Sequence, residues 1–175
     1  TLLPENFSSK KSTDDGCFRV LGRLNNERAY CWIEKDFVRG RVEDYIGKWK
    51  NFLPKANGRT GTIGKEPAKL ISTPVIGEPS DICTDTFLVV GAFDTPEEAE
   101  ACLKYIKSKF ARVLLGILKI TQDNTADKWS KVPLQNFKAD SDIDWSGNVD
   151  AQLYRKYSLT YAEIKFIESH VKEML

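Results

Sequence analysis

Amide and hydroxyl side chains are concentrated in two polar stretches of the chain, where their chemistry suits the reading of base edges. Three of them, Thr121, Gln122 and Asn124, follow a long apolar pattern. The fourth, Asn57, lies in an earlier glycine-rich stretch. Amides and hydroxyls present hydrogen-bond donors and acceptors together, which direct readout in the major groove of DNA requires. The sequence therefore predicts that these four side chains read bases.

Basic side chains accompany the same two stretches. Residues 48–69 contain six lysines or arginines and one acid, a local charge of +5 in a chain whose net charge is +1. A protein that docks one face on a polyanion needs such a local excess rather than a high total charge. The sequence therefore predicts phosphate contacts from seven side chains: Lys48, Lys50, Lys55, Arg59, Lys65, Lys119 and Lys128.

The glycine-rich stretch at residues 57–65 does not match a nucleotide-binding loop. A Walker loop has four residues between its glycines and a Ser or Thr after the lysine, whereas Glu66 follows Lys65 here. The stretch is more typical of a loop that lays backbone amides, Arg59 and Lys65 against a phosphate backbone. In the second stretch, Trp129 could wedge beside an extruded base, but a tryptophan in this context is more typical of a core position.

No combination of residues predicts catalysis by the chain itself. His170 is the only histidine, which leaves little for a histidine-based triad or a conventional metal cluster. Glu163 and Lys165 have the Glu-x-Lys spacing of many metal-dependent nucleases, but they fall inside a strongly capped helix. We therefore predict no catalytic residue, no metal and no cofactor in this chain. The four cysteines lack paired spacing and are typical of reduced core residues: Cys17, Cys31, Cys83 and Cys102.

Strands must position the first polar stretch, and hydrophobic patterning predicts where they lie. Residues 17–23 and 28–34 flank a turn with two asparagines, which predicts a β-hairpin. Three further strands are predicted at residues 48–53, 70–76 and 84–93. In the strand at residues 48–53, the alternation of polar and apolar residues predicts that Lys48 and Lys50 face away from the apolar side.

Helices must position the second polar stretch. From residue 94 an N-cap, a proline and a glutamate begin an apolar face that continues to residue 118, which predicts one central helix of roughly six turns. Asn148 can cap a short helix, and Thr160 with Glu163 has the pattern of a capping box. These elements predict an α+β fold with a mixed or antiparallel sheet, one long central helix and a C-terminal helical subdomain.

The composition is that of an ordinary globular protein. Hydrophobic residues make up 41% of the chain and charged residues 29%, which excludes disordered and fibrous classes. No apolar run approaches the roughly 20 residues of a membrane span and no signal sequence opens the chain, so we predict a cytoplasmic protein without membrane contact. We expect a fragment of a longer protein, since it begins at Thr1, with a linker or mobile arm (1–16), an α+β core (17–137) and a C-terminal helical extension (138–175).

Six short motifs in a fixed order resemble the C-terminal region of bacterial adenine-specific DNA methyltransferases of restriction-modification systems. They are residues 84–91 (TDTFLVVG), 105–110 (YIKSKF), 119–122 (KITQ), 132–137 (VPLQNF), 153–157 (LYRKY) and 159–168 (LTYAEIKFIE). The similarity extends over roughly residues 30–175, and the series is more specific than any one motif. One departure is Asp123, where such proteins commonly have histidine after the Thr-Gln pair.

The resemblance implies that this chain recognises a target sequence in double-stranded DNA. It also implies that methyl transfer and S-adenosylmethionine binding belong to an N-terminal methyltransferase domain of the same protein, outside this chain. Asp123 would repel phosphate, so its loop either reads a base edge, where a carboxylate can accept from cytosine, or has lost contact with DNA. Two alternatives remain open: a nuclease module of a fused restriction enzyme, and a structural module that holds subunits together.

Overall fold

Six strands form where β-branched and aromatic residues are enriched. The structure, a computed structural model, describes residues 7–8, 16–25, 27–56, 63–119 and 123–174. Within these residues the strands are β1 (Cys17–Leu24), β2 (Glu27–Glu34), β3 (Trp49–Pro54), β4 (Val75–Gly77), β5 (Asp81–Cys83) and β6 (Phe87–Phe93). The predicted hairpin is confirmed. The other predicted strands also form, although β6 starts three residues late and β4 keeps only the end of its predicted range.

These strands make two small three-stranded sheets. In the first sheet, β1 pairs antiparallel with β2 and parallel with β5, so the sheet is mixed. In the second sheet, β3 lies between β4 and β6 and all pairs are antiparallel. Leu21 of β1 packs with Phe52 and Phe87 of the second sheet. This apolar contact holds the hairpin against the start of β6.

In the part of the chain that the structure describes, five α-helices follow the sheets toward the C-terminus: α1 (Pro96–Lys107), α2 (Lys109–Leu118), α3 (Ala126–Trp129), α4 (Val149–Lys156) and α5 (Tyr161–His170). The predicted helix starts are confirmed. Thr95 and Asn148 cap α1 and α4 through side-chain oxygens, and Thr160 forms a capping box with Glu163 at the start of α5. The chain therefore has an α+β fold, as predicted, while the domain boundaries stay predictions.

The prediction of one long central helix is wrong, because the helix breaks at Ser108. Ser108 has an extended backbone (ψ 148°), and its Oγ accepts a hydrogen bond from the Ala111 amide (3.1 Å). The carboxylate of Asp150 accepts from the amides of Lys109 (3.1 Å) and Phe110 (2.9 Å). Together these acceptors bond three amides at the start of a new helix. These bonds offset the helical backbone hydrogen bonds that are lost at the break.

The main core lies among the helices and β3. It includes Leu53, Leu70, Ile106, Leu115 and Leu153, all of which are buried. The four cysteines are free; Cys102 is buried, as expected for a core residue, whereas Cys17, Cys31 and Cys83 are only partly buried. In the part of the chain that the structure describes, no helix is long and apolar enough to cross a membrane.

Candidate nucleic-acid interface

The two polar stretches that the sequence singles out are joined to each other by backbone and side-chain hydrogen bonds near one end of each stretch. Ala56, where the first stretch begins, forms a β-bridge with Asp123, near the end of the second. The Asn124 amide donates to the Lys55 carbonyl (2.6 Å), and its side-chain Nδ2 donates to the Pro54 carbonyl (3.2 Å). We call these five residues the anchor region. It ties together two stretches that are far apart in the sequence.

The opposite ends of the two stretches meet at the end of α2. Ile63 packs on Gly116, where an added Cβ would lie 3.0 Å from the Ile63 side chain and 3.1 Å from that of Leu70. Only glycine fits that approach without displacing a neighbour. Lys119 directly follows α2, and its ammonium donates to the Leu70 carbonyl (2.9 Å). Each polar stretch is therefore held both at the anchor region and at the end of α2.

Four predicted DNA-contacting residues lie outside the described residues: Asn57, Arg59, Thr121 and Gln122. Their roles stay predictions, and the structure gives the positions of the residues on either side. Lys65, two residues beyond Ile63, is exposed and forms no ion pair within the described residues. It is therefore available for a phosphate contact.

Lys50 lies in the interior of the fold, where it bonds backbone carbonyls. It has no exposed surface, and its ammonium donates to the carbonyls of Glu78, Pro79 and Asp81 at 2.8–3.1 Å. Burial lowers the pKa of Lys50 to about 8. Alternation along β3 predicted a solvent-facing lysine, and the structure corrects this because the turn before β5 covers that side of the strand. In this structure Lys50 has no surface for a phosphate contact.

Lys119 and Asn124 are also buried, with 7% and 1% of their surface exposed. Burial, and then the charge of Lys128, lower the pKa of Lys119 to about 8. These two side chains bond backbone carbonyls at the ends of the polar stretches. They hold the candidate interface in place, which corrects the expectation that they face a ligand.

Lys48 and Lys55 flank β3 at opposite ends. Lys48 pairs with Asp94 and Lys55 with Asp85, and hydrogen bonding to these lysines lowers the pKa of both carboxyl groups. Exposed ion pairs of this kind contribute little stability, so the lysines are not committed to the fold. Only Lys55 belongs to the anchor region. Lys48 lies about 20 Å away along the strand, at roughly 3.3 Å per residue.

The short helix α3 supplies the last two predicted residues. The Lys128 ammonium donates to the Asp123 carbonyl (3.1 Å), which places its charge at the anchor region. Trp129 packs against the main core and lines an apolar cavity of about 360 Å³. Its Nε1 is buried without an acceptor among the described residues. This position agrees with the core alternative for Trp129.

The hairpin carries basic and aromatic side chains that sequence reasoning did not single out. Arg19, Arg23, Arg28 and Tyr30 share one face, because the register pairs odd positions of β1 with even positions of β2. The signal was present in the sequence. A two-residue turn after Leu24 fixes this register, and alternating basic and aromatic residues then fall on one side of the hairpin.

The described ranges contain no group of three or more His, Cys, Asp or Glu side chains that could hold a metal ion. A scan against protein-family models, a search of curated proteins and a search of solved structures each found no match for this chain.

Proposed function

We propose that the chain binds double-stranded DNA sequence-specifically, as the target-recognition part of an adenine-specific DNA methyltransferase. One observation carries the proposal: the β-bridge between Ala56 and Asp123 brings two separate polar and basic stretches together. Sequence-specific binding needs phosphate contacts that set the register and base contacts that read the sequence at one place. The anchor region supports this arrangement. Methyl transfer would then belong to a separate domain that binds S-adenosylmethionine.

In this proposal the predicted residues have two different roles. Phosphate contacts fall to four basic side chains on or beside the two stretches: Lys55, Arg59, Lys65 and Lys128. Base reading falls to Asn57, Thr121 and Gln122, as the sequence predicts. In this proposal Asn124 is a positioning residue, because its side-chain Nδ2 already donates to the Pro54 carbonyl.

Two carboxylates reduce the net positive charge near the anchor region. Asp85 pairs with Lys55, and Asp123 is itself an exposed member of the anchor region. Each would repel a phosphate in its immediate vicinity. An exposed carboxylate can instead accept from the amino group of cytosine, so Asp123 is a candidate reader of a base edge.

Fluorescence anisotropy with a short duplex tests the proposal. We expect the affinity of the 175-residue chain to fall steeply between about 50 and 200 mM salt, because each neutralised phosphate adds about −0.9 to the log–log slope. Lys55→Ala should lower affinity about three- to tenfold and reduce the slope by about one. Lys48→Ala is the matched control, since it also removes an exposed lysine paired with an aspartate, at the other end of β3.

Two results would contradict the proposal. One is an affinity that does not change with salt, which excludes an interface dominated by phosphate contacts. The other is an equal loss for Lys55→Ala and Lys48→Ala, which would mean nonspecific attraction to total charge. A binding selection from random duplexes addresses specificity, and we expect it to enrich a defined site.

A further inference from the structure

The cavity that Trp129 lines has the size and the lining of a small-molecule site. Strand β6, helix α1, the end of α3 and the segment at residues 132–138 each contribute to its wall, and its volume is about 360 Å³. Ligand pockets in proteins are mostly apolar and have volumes of roughly 300–1,000 Å³. An apolar cavity of about 150 Å³ is already enough to bind benzene. This cavity is therefore large enough for a molecule with two fused rings.

Three side chains of the wall are aromatic and pack on one another. The centroid of the Phe137 ring lies 5.8 Å from that of Phe93, in an edge-to-face arrangement, and 6.0 Å from that of Tyr105. The Tyr105 hydroxyl donates to the Pro133 carbonyl (2.6 Å), which holds its ring against residues 132–138. Aromatic rings pair favourably in offset-stacked and edge-to-face geometries. The wall therefore favours a planar aromatic ligand.

Trp129 brings to this cavity a hydrogen-bond donor without an acceptor. Its indole Nε1 is buried and has no partner among the described residues. Within the same residues, two other buried side-chain atoms lack a partner, on Asn51 and Arg112, and neither residue lines the cavity. A buried donor without a partner is destabilising, so native proteins rarely leave one. A ligand that carries an acceptor would supply the missing bond.

The other polar side chains of the wall already have partners. The Tyr105 hydroxyl is bonded to Pro133, and the amides of Gln135 and Asn136 both donate and accept hydrogen bonds within residues 133–157. The charged residues that line the cavity are Glu98 and Lys138, one of each sign, so no net charge selects an anion or a cation. The wall therefore favours an uncharged ligand with a single acceptor.

Leu134 shows that the cavity is open to solvent on one side. It lines the cavity and is 87% exposed, the largest exposed fraction of any large hydrophobic residue in the described ranges. A ligand in the cavity would bury apolar surface that the chain leaves in water, and such burial favours binding.

We propose that this cavity binds an uncharged, planar aromatic molecule, and that Trp129 Nε1 donates a hydrogen bond to an acceptor on its ring. A purely apolar ring would fill the same space but leave Nε1 without a partner, so an acceptor at that place should add affinity. Neither DNA nor the anchor region takes part in this binding, so it does not depend on the proposed function.

Quinoline and naphthalene test the inference, because they have the same shape and differ by one ring nitrogen that accepts a hydrogen bond. NMR titrations of the isotope-labelled chain follow the indole N–H signals of its four tryptophans. We expect quinoline to move the Trp129 signal downfield, as a new hydrogen bond does, and naphthalene to produce no such downfield shift. The Trp145 indole is the internal control, because its Nε1 already donates to the Asn136 carbonyl (3.3 Å).

Variants separate the hydrogen bond from the filling of the cavity, with affinities read from the ring-current shifts of the Ile106 and Val132 methyl groups. Trp129→Phe keeps an aromatic ring but removes the donor, and should weaken quinoline binding about three- to tenfold more than naphthalene binding. Trp145→Phe makes the same change at a tryptophan that does not line the cavity, and should leave the ratio of the two affinities unchanged. Val90→Phe adds bulk to the wall and should weaken both ligands at least about tenfold.

Three results would overturn the inference. The first is the absence of any shift of the Trp129 signal and of the two methyl groups, with either compound, up to the limit of solubility. The second is an equal loss of both affinities in Trp129→Phe, which would leave an apolar cavity without the hydrogen bond. The third is unchanged binding in Val90→Phe, which would place both compounds elsewhere on the chain.

The comparison of the two compounds on the wild-type chain needs no variant, and it decides if Trp129→Phe or Val90→Phe unfolds at a lower temperature. The Trp129 signal is then assigned through its magnetisation transfer to neighbouring protons. A downfield shift with quinoline alone supports the hydrogen bond. Equal shifts with quinoline and naphthalene would contradict it.

Discussion

Helix α2 and the β1–β2 hairpin use arginine in different ways. Arg112 in α2 has no exposed surface, and its guanidinium donates to three backbone carbonyls at 2.8–3.2 Å. These bonds hold the break between α1 and α2 and tie it to the segment before β4. Arg23 and Arg28 on the hairpin are instead exposed and face each other. Arg112 therefore stabilises the fold from the interior, whereas the side chains of Arg23 and Arg28 reach solvent.

The same contrast between a buried and an exposed basic side chain occurs along β3 and the residue that follows it. Lys50 is buried and bonded to three carbonyls, whereas Lys55, just after β3, is paired only with an exposed aspartate. Both belong to the basic segment that first suggested a polyanion partner. A count of charges along the chain therefore does not locate an interface. The burial of each charge and the partners it already has decide whether it can bind a ligand.

The largest expected effect comes from removing the buried arginine. Arg112→Met should lower the free energy of unfolding by about 2–4 kcal/mol, because three buried or partly buried backbone carbonyls lose their donor. Arg155→Met, at an exposed position, should change it by less than about 0.5 kcal/mol. Urea unfolding followed by circular dichroism measures both. If Arg112→Met leaves stability intact but weakens DNA binding, the contrast between the arginine of α2 and those of the hairpin is wrong.

The next effect is a pH dependence that belongs to Lys50. Its pKa is about 8 in the folded chain and about 10.4 in an unfolded chain. Between these values the unfolded state binds more protons, so this group makes the free energy of unfolding rise with pH. From pH 8 to 10 the wild type should gain stability relative to Lys50→Met by on the order of 1 kcal/mol.

Urea unfolding at several pH values in this range measures the difference between wild type and variant. The difference cancels groups that titrate in both proteins, including Lys119. Lys48→Met is the control for the loss of an exposed lysine just before β3. The absence of any wild-type gain relative to Lys50→Met would show that burial does not lower the pKa of Lys50.

The smallest expected effect concerns the exposed pair at the anchor region. Asp85→Asn removes a negative charge and releases Lys55, so duplex affinity should rise about two- to threefold at low salt. Asp94→Asn makes the same change beside Lys48 and should leave affinity unchanged. Anisotropy titrations of both variants test the difference. A rise of equal size in both would place Lys48 and Lys55 in equivalent positions toward DNA.

Local interactions explain what could be predicted from the sequence. The hairpin, the caps of α1 and α4, and the capping box of α5 each depend on residues within a few positions of one another. Their chemistry is therefore visible in a short window. The break at Ser108 was missed because Asp150, which bonds the first amides of α2, is far away in the sequence.

For the candidate site, the sequence by itself determined the chemistry of the two polar stretches and the fold class, because side-chain type and periodicity are local properties. Only the tertiary structure decided that Ala56 meets Asp123 and that Arg28 lies over the Phe87 ring. It also decided that Lys50 is enclosed by the turn before β5. Such pairings depend on how separate elements pack, and burial then determines which charges still face solvent.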